Sequence, residues 1–164
     1  MNEQAKVVLR CNTLKINCIE LQKKLNSIGI ETTKINDVKD ALVLNKRQNI
    51  FTNDYFKQGL FEVQDAGSQE ISNFFDLAQN EIIIDACAGA GGKTLHLSAL
   101  LNNKGKIISM DVEEWKLEEL KKRAKRAGAF NIETIHIKDK ETINNLKEKA
   151  TKLLLDVPCS GIGV

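Results

Sequence analysis

Apolar and polar positions along the chain follow two successive rhythms. Up to about residue 60, short β-branched runs surround one amphipathic stretch. Val7-Val8-Leu9-Arg10 reads as a strand. Asn17 is placed to cap a helix through Ser27, with Leu21 and Leu25 at i, i+4 and Gly29 as the stop. Short strands over 32–35 and 41–44 come next, then the polar, basic turn Asn45-Lys46-Arg47-Gln48-Asn49 and a linker or short helix over 51–59. From Leu60 the pattern changes to strand and helix in alternation. Residues 61–64 read as extended, and Asp65 or Ser68 can cap a helix that carries Ile71, Phe74, Phe75 and Leu77. The run Ile82-Ile83-Ile84-Asp85 is continuously apolar, as in a strand buried on both faces of a parallel sheet. A glycine-rich turn, a helix over 93–101 and a strand over 106–110 ending in Asp111 follow. A helix over 113–126, with Trp115, Leu117, Leu120 and Ala124 at helical spacing, stops at Gly128. A strand over 132–137, a polar helix near 142–150 and a strand over 153–156 complete the series. This alternation predicts an α/β architecture: a doubly wound parallel sheet over 60–164, preceded by a small α+β unit over 1–59. Ligands of such sheets sit beyond the carboxyl ends of the strands.

Composition narrows the class. With 164 residues, 42% of them apolar and 28% charged, the chain matches an ordinary globular protein rather than a disordered or collagen-like one. No apolar run approaches the ~18–20 residues of a membrane span. Met1-Asn2-Glu3-Gln4 lacks the basic start and apolar core of an export leader. The expectation is a cytoplasmic protein, with no membrane contact, in which Cys11, Cys18, Cys87 and Cys159 are reduced thiols. No C-x-x-C pair exists, and with two histidines no zinc spacing does either, so no metal is expected. The net charge of +2 argues nothing alone. Its distribution is uneven: ten basic against six acidic residues in 1–60, and fourteen against sixteen in 61–164. The front is the better polyanion binder, although random scatter of surface lysines accounts for the counts equally well.

The candidate chemistry gathers at strand ends. Asp85, Asp111 and Asp156 terminate three strands of the expected sheet, and Asp139 follows the fourth by two residues. One such Asp is usually a cap or turn former. Four in series point to a shared site. The turn Ala86-Cys87-Ala88-Gly89-Ala90-Gly91-Gly92-Lys93-Thr94 misses a P-loop by one residue, since Cys87 stands where the first glycine belongs. It also misses a dinucleotide fingerprint by one, since Thr94 stands at the last glycine. Its glycines still allow close backbone approach, and helix-terminal amides favour a negative group such as a carboxylate. Asp111 lies twenty positions after Gly91, the spacing at which an acidic residue takes ribose hydroxyls. A nucleoside bearing a carboxylate in place of a pyrophosphate describes S-adenosylmethionine. Beyond the last strand, Pro158 places the Cys159 thiol in a rigid turn at the same crevice. Cys11 and Cys18 sit in core-like contexts, and Cys87 is expected to meet a cofactor through its backbone.

Three stretches resemble the motifs of a known family: Gln64-Asp65-Ala66-Gly67-Ser68-Gln69, Asp85-Ala86-Cys87-Ala88-Gly89-Ala90-Gly91-Gly92-Lys93-Thr94 and Asp156-Val157-Pro158-Cys159-Ser160-Gly161. They are similar to those of the Nop/Sun RNA (cytosine-5)-methyltransferases, which include bacterial 16S rRNA methylases. The front segment Leu9-Arg10-Cys11-Asn12-Thr13-Leu14-Lys15 resembles that family's small RNA-binding subdomain. Ala90 replaces a frequent proline and Val157 a frequent alanine. The resemblance implies a Rossmann-like S-adenosylmethionine-dependent methyltransferase sheet, its first four strands present, behind an RNA-binding subdomain. It implies that Cys87, Ala88, Gly89, Ala90, Gly91, Gly92 and Lys93 wrap the methionine end of the cofactor. Asp111 would then hold the ribose hydroxyls, Asp139 would lie near the adenine amine, and Asp156 would sit by the methionine group and the target base. Cys159 would be the thiol that assists product release, or, as a second role, the nucleophile.

Cytosine C5 becomes nucleophilic once a thiolate adds at C6, and loss of the C5 proton later expels the sulfur. In the resembling family that thiolate comes from a later Thr-Cys motif, and this sequence contains no Thr-Cys pair. The expectation is therefore a fragment that carries the cofactor half, is inactive alone, and acts on rRNA foremost, with tRNA as a second RNA. The competing reading is a non-catalytic module that binds S-adenosylmethionine and RNA. A nucleotide hydrolase is disfavoured by Cys87. An uncovered strand over 153–155 would also invite self-association through the sheet edge.

Overall fold

The computed structural model describes residues 6–157. Its first half is an antiparallel sheet in the order β2-β3-β1-β4, built from β1 (Val8–Cys11), β2 (Thr32–Lys34), β3 (Ala41–Leu44) and β4 (Phe61–Val63). Helix α1 (Cys18–Ser27) packs on it, and the short α2 (Asp54–Lys57) precedes β4. The side chain of Asn17 accepts a hydrogen bond from the Glu20 amide at 2.9 Å, which satisfies one of the free amides of the first turn of α1. Leu21 and Leu25 of α1 lie fully buried in one core with Leu9, Leu42 and Phe61. β4 lies beyond the division expected after residue 59, yet its register with β1 pairs Leu9 with Val63 and Cys11 with Phe61. The buried Phe61 ring holds it there, so the first sheet runs through Val63.

The second half is a parallel sheet in the order β7-β6-β5-β8. Its elements are α3 (Ala66–Asn73), β5 (Ile82–Asp85), α4 (Gly92–Leu100), β6 (Lys106–Asp111), α5 (Glu114–Ala127), β7 (Ile132–His136), α6 (Lys140–Asn144) and β8 (Lys152–Leu154). Ile83, Ile107 and Leu154 point to the face covered by Leu97 and Leu101 of the α4 segment. Ile84, Ile108 and Met110 point to the other face, against Leu146 and Ala150. That division explains why β5 is apolar at consecutive positions. The α/β class and the parallel sheet are thus as the sequence predicts.

Three details differ from the sequence reading. Trp115 is 65% exposed, because the buried stripe of α5 is set by Leu117, Leu120, Ala124 and Ala127, and a residue two positions before Leu117 lies nearly opposite. Phe74, expected on the apolar face of α3, closes that helix as its C-cap and is exposed. The helix expected near 142–150 begins earlier, at Lys140, and ends at Asn144, because Asp139 caps it. Among the described residues, the outer edge of β8 is unpaired and Leu153 is half exposed. No helix among them is long and apolar enough to cross a membrane. Nor do they contain a group of three or more His, Cys, Asp or Glu placed to hold a metal ion.

The two sheets are joined at the end of α5. Asn12 donates through Nδ2 to Gly59 O at 2.7 Å and to Ala127 O at 2.8 Å. Lys15 donates through Nζ to Gln58 O at 2.7 Å and to Arg126 O at 2.6 Å. A helix terminus leaves its last carbonyls without intrahelical partners, and here the front subdomain supplies the donors. Gly59, at φ 71°, makes this approach possible: a Cβ there would lie 2.1 Å from Arg126 O. Asn12→Ala is expected to cost about 1–3 kcal/mol, the penalty for stranding buried carbonyls. The check is a lowered urea midpoint at unchanged slope. An unchanged midpoint would contradict the assigned role.

Candidate functional site

β5 and β6 run in parallel register, with Asp85 opposite Ser109 and Asp111 two residues further on, and β8 pairs with β5 on its other side. Parallel pairing therefore brings Asp85, Asp111 and Asp156 to one edge of the sheet. Each carboxylate is handled differently. Asp85 is 1% exposed, and its Oδ2 accepts from Thr94 Oγ1 at 2.7 Å. Its Oδ1 has no partner among the described residues. Burial pushes its carboxyl up to about 6, against the opposing effect of the Thr94 hydrogen bond. Asp111 accepts from the Gly89 amide at 2.8 Å and from the Glu113 amide at 2.9 Å. A carboxylate offers about four acceptor positions, so two stay available. Asp156 is paired with the Lys93 ammonium, which reaches it from the first turn of α4.

The loop between β5 and α4 turns on glycines. Gly89 and Gly91 have φ of 53° and 86°, in the left-handed region that favours glycine. A Cβ on Gly91 would also lie 2.6 Å from Leu120 Cγ, so the loop seats directly on α5. The Gly91 amide is used within the turn, donating to Ala88 O at 2.9 Å. The amides of Ala90, Gly92 and Lys93 have no acceptor among the described residues. These free donors stand at the N-terminus of a nine-residue helix, where an anionic group is favoured.

A cleft of about 250 Å³ opens in front of this edge, lined by Ala86, Cys87, Gly89, Asp111, Val112, Glu113, Lys116, Ile137 and Asp156. Thus Cys87, Gly89, Asp111 and Asp156, all named from sequence, share one cavity. Ala88 is buried under the loop against α5, and Ala90, Gly91, Gly92 and Lys93 complete the turn. Burial, with the carboxylates of Asp111, Asp85 and Asp156, pushes the Cys87 thiol up, which keeps it protonated and a poor nucleophile. Asp139 is placed differently: its Oδ1 accepts from the Thr142 amide at 2.8 Å and from Thr142 Oγ1 at 2.9 Å, as the cap of α6, and it does not line this cleft. Cys159 lies outside the described residues.

Some lining residues escape a motif reading. Val112, exposed just past β6, presents an apolar surface to the cleft, while Glu113 and Lys116, both lining it, form an i,i+3 ion pair at 2.6 Å. Behind the loop lie Arg10, Glu62, Gln64 and Arg123, none of them named from sequence as site residues. A charged residue inside an apolar strand, as in Leu9-Arg10-Cys11 and Phe61-Glu62-Val63, was the available signal.

A family model described as 16S rRNA methyltransferase RsmB/F matches residues 73–164, and one for an RsmF/B-like ferredoxin-like domain matches residues 1–51. A probable ribosomal RNA small subunit methyltransferase B of Bacillus subtilis is 35% identical over 97% of this chain. A tRNA (cytosine(72)-C(5))-methyltransferase of Pyrococcus horikoshii is 36% identical over 66% of it. The crystal structure of a methyltransferase homologue from Pyrococcus horikoshii superposes with a TM-score of 0.87 at 32% identity, covering 97% of this chain and 52% of that one. The chain spans 36% of the length of the Bacillus relative and 28% of the Pyrococcus tRNA relative, so about a third of the curated proteins it matches.

The buried Asp85 sets a pH dependence with a definite sign. Its folded value of about 6 lies above that of an unfolded aspartate, so ionisation favours the unfolded chain. The stability that it contributes is complete below about pH 4 and is lost as the pH rises through about 6. Asp85→Asn keeps an acceptor for Thr94 and cannot ionise. Its melting temperature is expected to exceed that of the wild type at pH 7.5, by the equivalent of roughly 2–3 kcal/mol, and to converge with it at pH 4. A pH-independent difference would contradict the assignment.

Proposed function

The chain belongs to the RsmB/F family of 16S rRNA methyltransferases, and from that premise we propose that it supplies the cofactor half of a cytoplasmic RNA (cytosine-5)-methyltransferase, with rRNA as the favoured substrate. The observation that carries this reading is a cleft that holds Gly89, Asp111 and Asp156 next to the start of α4, whose first amides have no acceptor among the described residues and whose Lys93 pairs with Asp156. S-adenosylmethionine fits that donor set at both ends. Its methionine carboxylate suits the amides of Gly92 and Lys93 at the start of α4, and its ribose diol suits the two free acceptor positions of Asp111. Bound there, the molecule supplies an electrophilic methyl group on a sulfonium.

The remaining roles belong to the chain's own residues. Asp111 fixes the loop through Gly89 and so couples ribose binding to loop shape. Val112 and Ile137 provide apolar walls for a base. The Lys93–Asp156 pair lies where loop and β8 meet, and in this reading Asp156 faces the target cytosine once that pair opens. The cationic sulfonium is favoured by an edge that carries Asp156 and Asp111, which is electrostatic complementarity of the ordinary kind. Cys159 is assigned to product release. The edge of β8 that is unpaired among the described residues is assigned to strand pairing, with further sheet or with a second copy.

Isothermal titration of the chain is expected to show binding of S-adenosylmethionine and none of ATP. Asp111→Ala is expected to weaken that binding by about tenfold or more, since it removes a charged acceptor as well as the anchor of Gly89. Binding of ATP in place of S-adenosylmethionine would overturn the reading. In the full-length gene product, Cys159→Ala is expected to stop methyl transfer to rRNA while a covalent RNA adduct accumulates. Loss of transfer with no trapped adduct would instead make Cys159 the attacking thiol.

A further inference from the structure

Two guanidinium groups grip the glycine loop from behind. Arg10, on β1 of the small sheet, is 2% exposed, and its Nη1 donates to Gly92 O at 2.5 Å and to Gln64 Oε1. Arg123, on α5, donates through Nη1 to Ala90 O at 2.8 Å and through Nη2 to Glu62 Oε2 at 2.9 Å. Arg126 takes the other Glu62 oxygen at 2.6 Å, and its guanidinium lies 4.1 Å from the centroid of the Phe56 ring. Glu62 is buried on β4, and Gln64 follows directly after that strand. Both ties on the loop therefore run back to side chains of the front subdomain.

This arrangement is costly as plain packing. Burial lowers the Arg10 guanidinium to about 10, and its Nε has no partner among the described residues. An apolar residue on β1 would avoid that desolvation, so a buried charge is poor evidence of a purely stabilising role. Its geometric effect is specific. In a trans peptide the carbonyl and the following amide point in opposite directions. Holding Gly92 O against Arg10 therefore turns the Lys93 amide to the opposite side, where it has no acceptor among the described residues.

We propose that Arg10 and Arg123 are positioning residues for the cofactor: through Glu62 and Gln64 the front subdomain fixes the loop carbonyls, and so the loop amides, before the ligand arrives. This rests on the loop being the S-adenosylmethionine site. It makes the front subdomain a structural part of that site in addition to its expected contact with RNA.

The test uses Arg10→Met, Arg123→Met and Arg123→Lys in this chain. Hydrogen exchange is measured at the amides of 89–93 without ligand, and S-adenosylmethionine affinity is measured by calorimetry. Both Met variants are expected to exchange at least about tenfold faster in the loop, with β5 and β6 amides unchanged, and to bind S-adenosylmethionine about tenfold more weakly. Arg123→Lys is expected to restore much of the loop protection, which a packing role would not predict. Arg123 is part-buried where Arg10 is fully buried, so its variants keep the test alive if Arg10→Met fails to fold. Unchanged loop exchange in a folded Met variant overturns the proposal. Faster loop exchange in the Met variants, when the wild type itself binds no S-adenosylmethionine, would uphold the positioning and sink the cofactor reading instead.

Discussion

Parallel pairing of β8, β5 and β6 forces three aspartates onto one sheet edge, and the surrounding structure is organised by the need to accommodate them. Mutual repulsion at such an edge is relieved in three ways. Asp85 is buried, with its carboxyl pushed up to about 6, beneath the hydroxyl of Thr94. Asp111 accepts hydrogen bonds from two backbone amides, one of which belongs to the glycine loop. Asp156 is paired with Lys93 from the first turn of α4. All three solutions draw on the same short segment, so loop shape and edge charge are a single problem. A ligand with a cationic centre and a carboxylate complements both the edge and the free amides.

The loop is held from two sides. In front, Asp111 fixes Gly89; behind, the guanidinium groups of Arg10 and Arg123 fix Gly92 and Ala90. Leu120 fills the space that a Cβ on Gly91 would need. The same helix, α5, ends against Asn12 and Lys15 of the front subdomain. Preorganisation of this sort lowers the conformational cost of binding.

Much of this was legible in the sequence. The run Ile82-Ile83-Ile84-Asp85 announced a strand buried on both faces, and β5 occupies those four residues. Asn17 and Gly29 marked the ends of α1 by their capping chemistry alone. Cys87, Gly89, Asp111 and Asp156, singled out in the sequence, line one cleft, because parallel sheets place such positions together. What stayed hidden depends on tertiary packing. Trp115 falls on the outer face, because a residue two positions before Leu117 cannot share the stripe that Leu117, Leu120 and Ala124 define. β4 joins the first sheet through a pairing that local pattern does not encode. The Arg10–Gln64–Gly92 and Arg123–Glu62 contacts bridge residues more than fifty positions apart, and only the fold brings them together. Asp139 shows how local chemistry enters: its position after a strand suggests the shared edge, and its side chain caps α6.

The most direct test of the central claim is an amide-resolved NMR titration of the chain with S-adenosylhomocysteine. The account predicts saturable shifts centred on Ala90, Gly92 and Lys93, together with Asp111 through Glu113, with the Lys93 amide moving downfield as it gains an acceptor. Shifts confined to the apolar face lined by Ile143, Leu146 and Leu153, or no saturable shift at the loop, would contradict it.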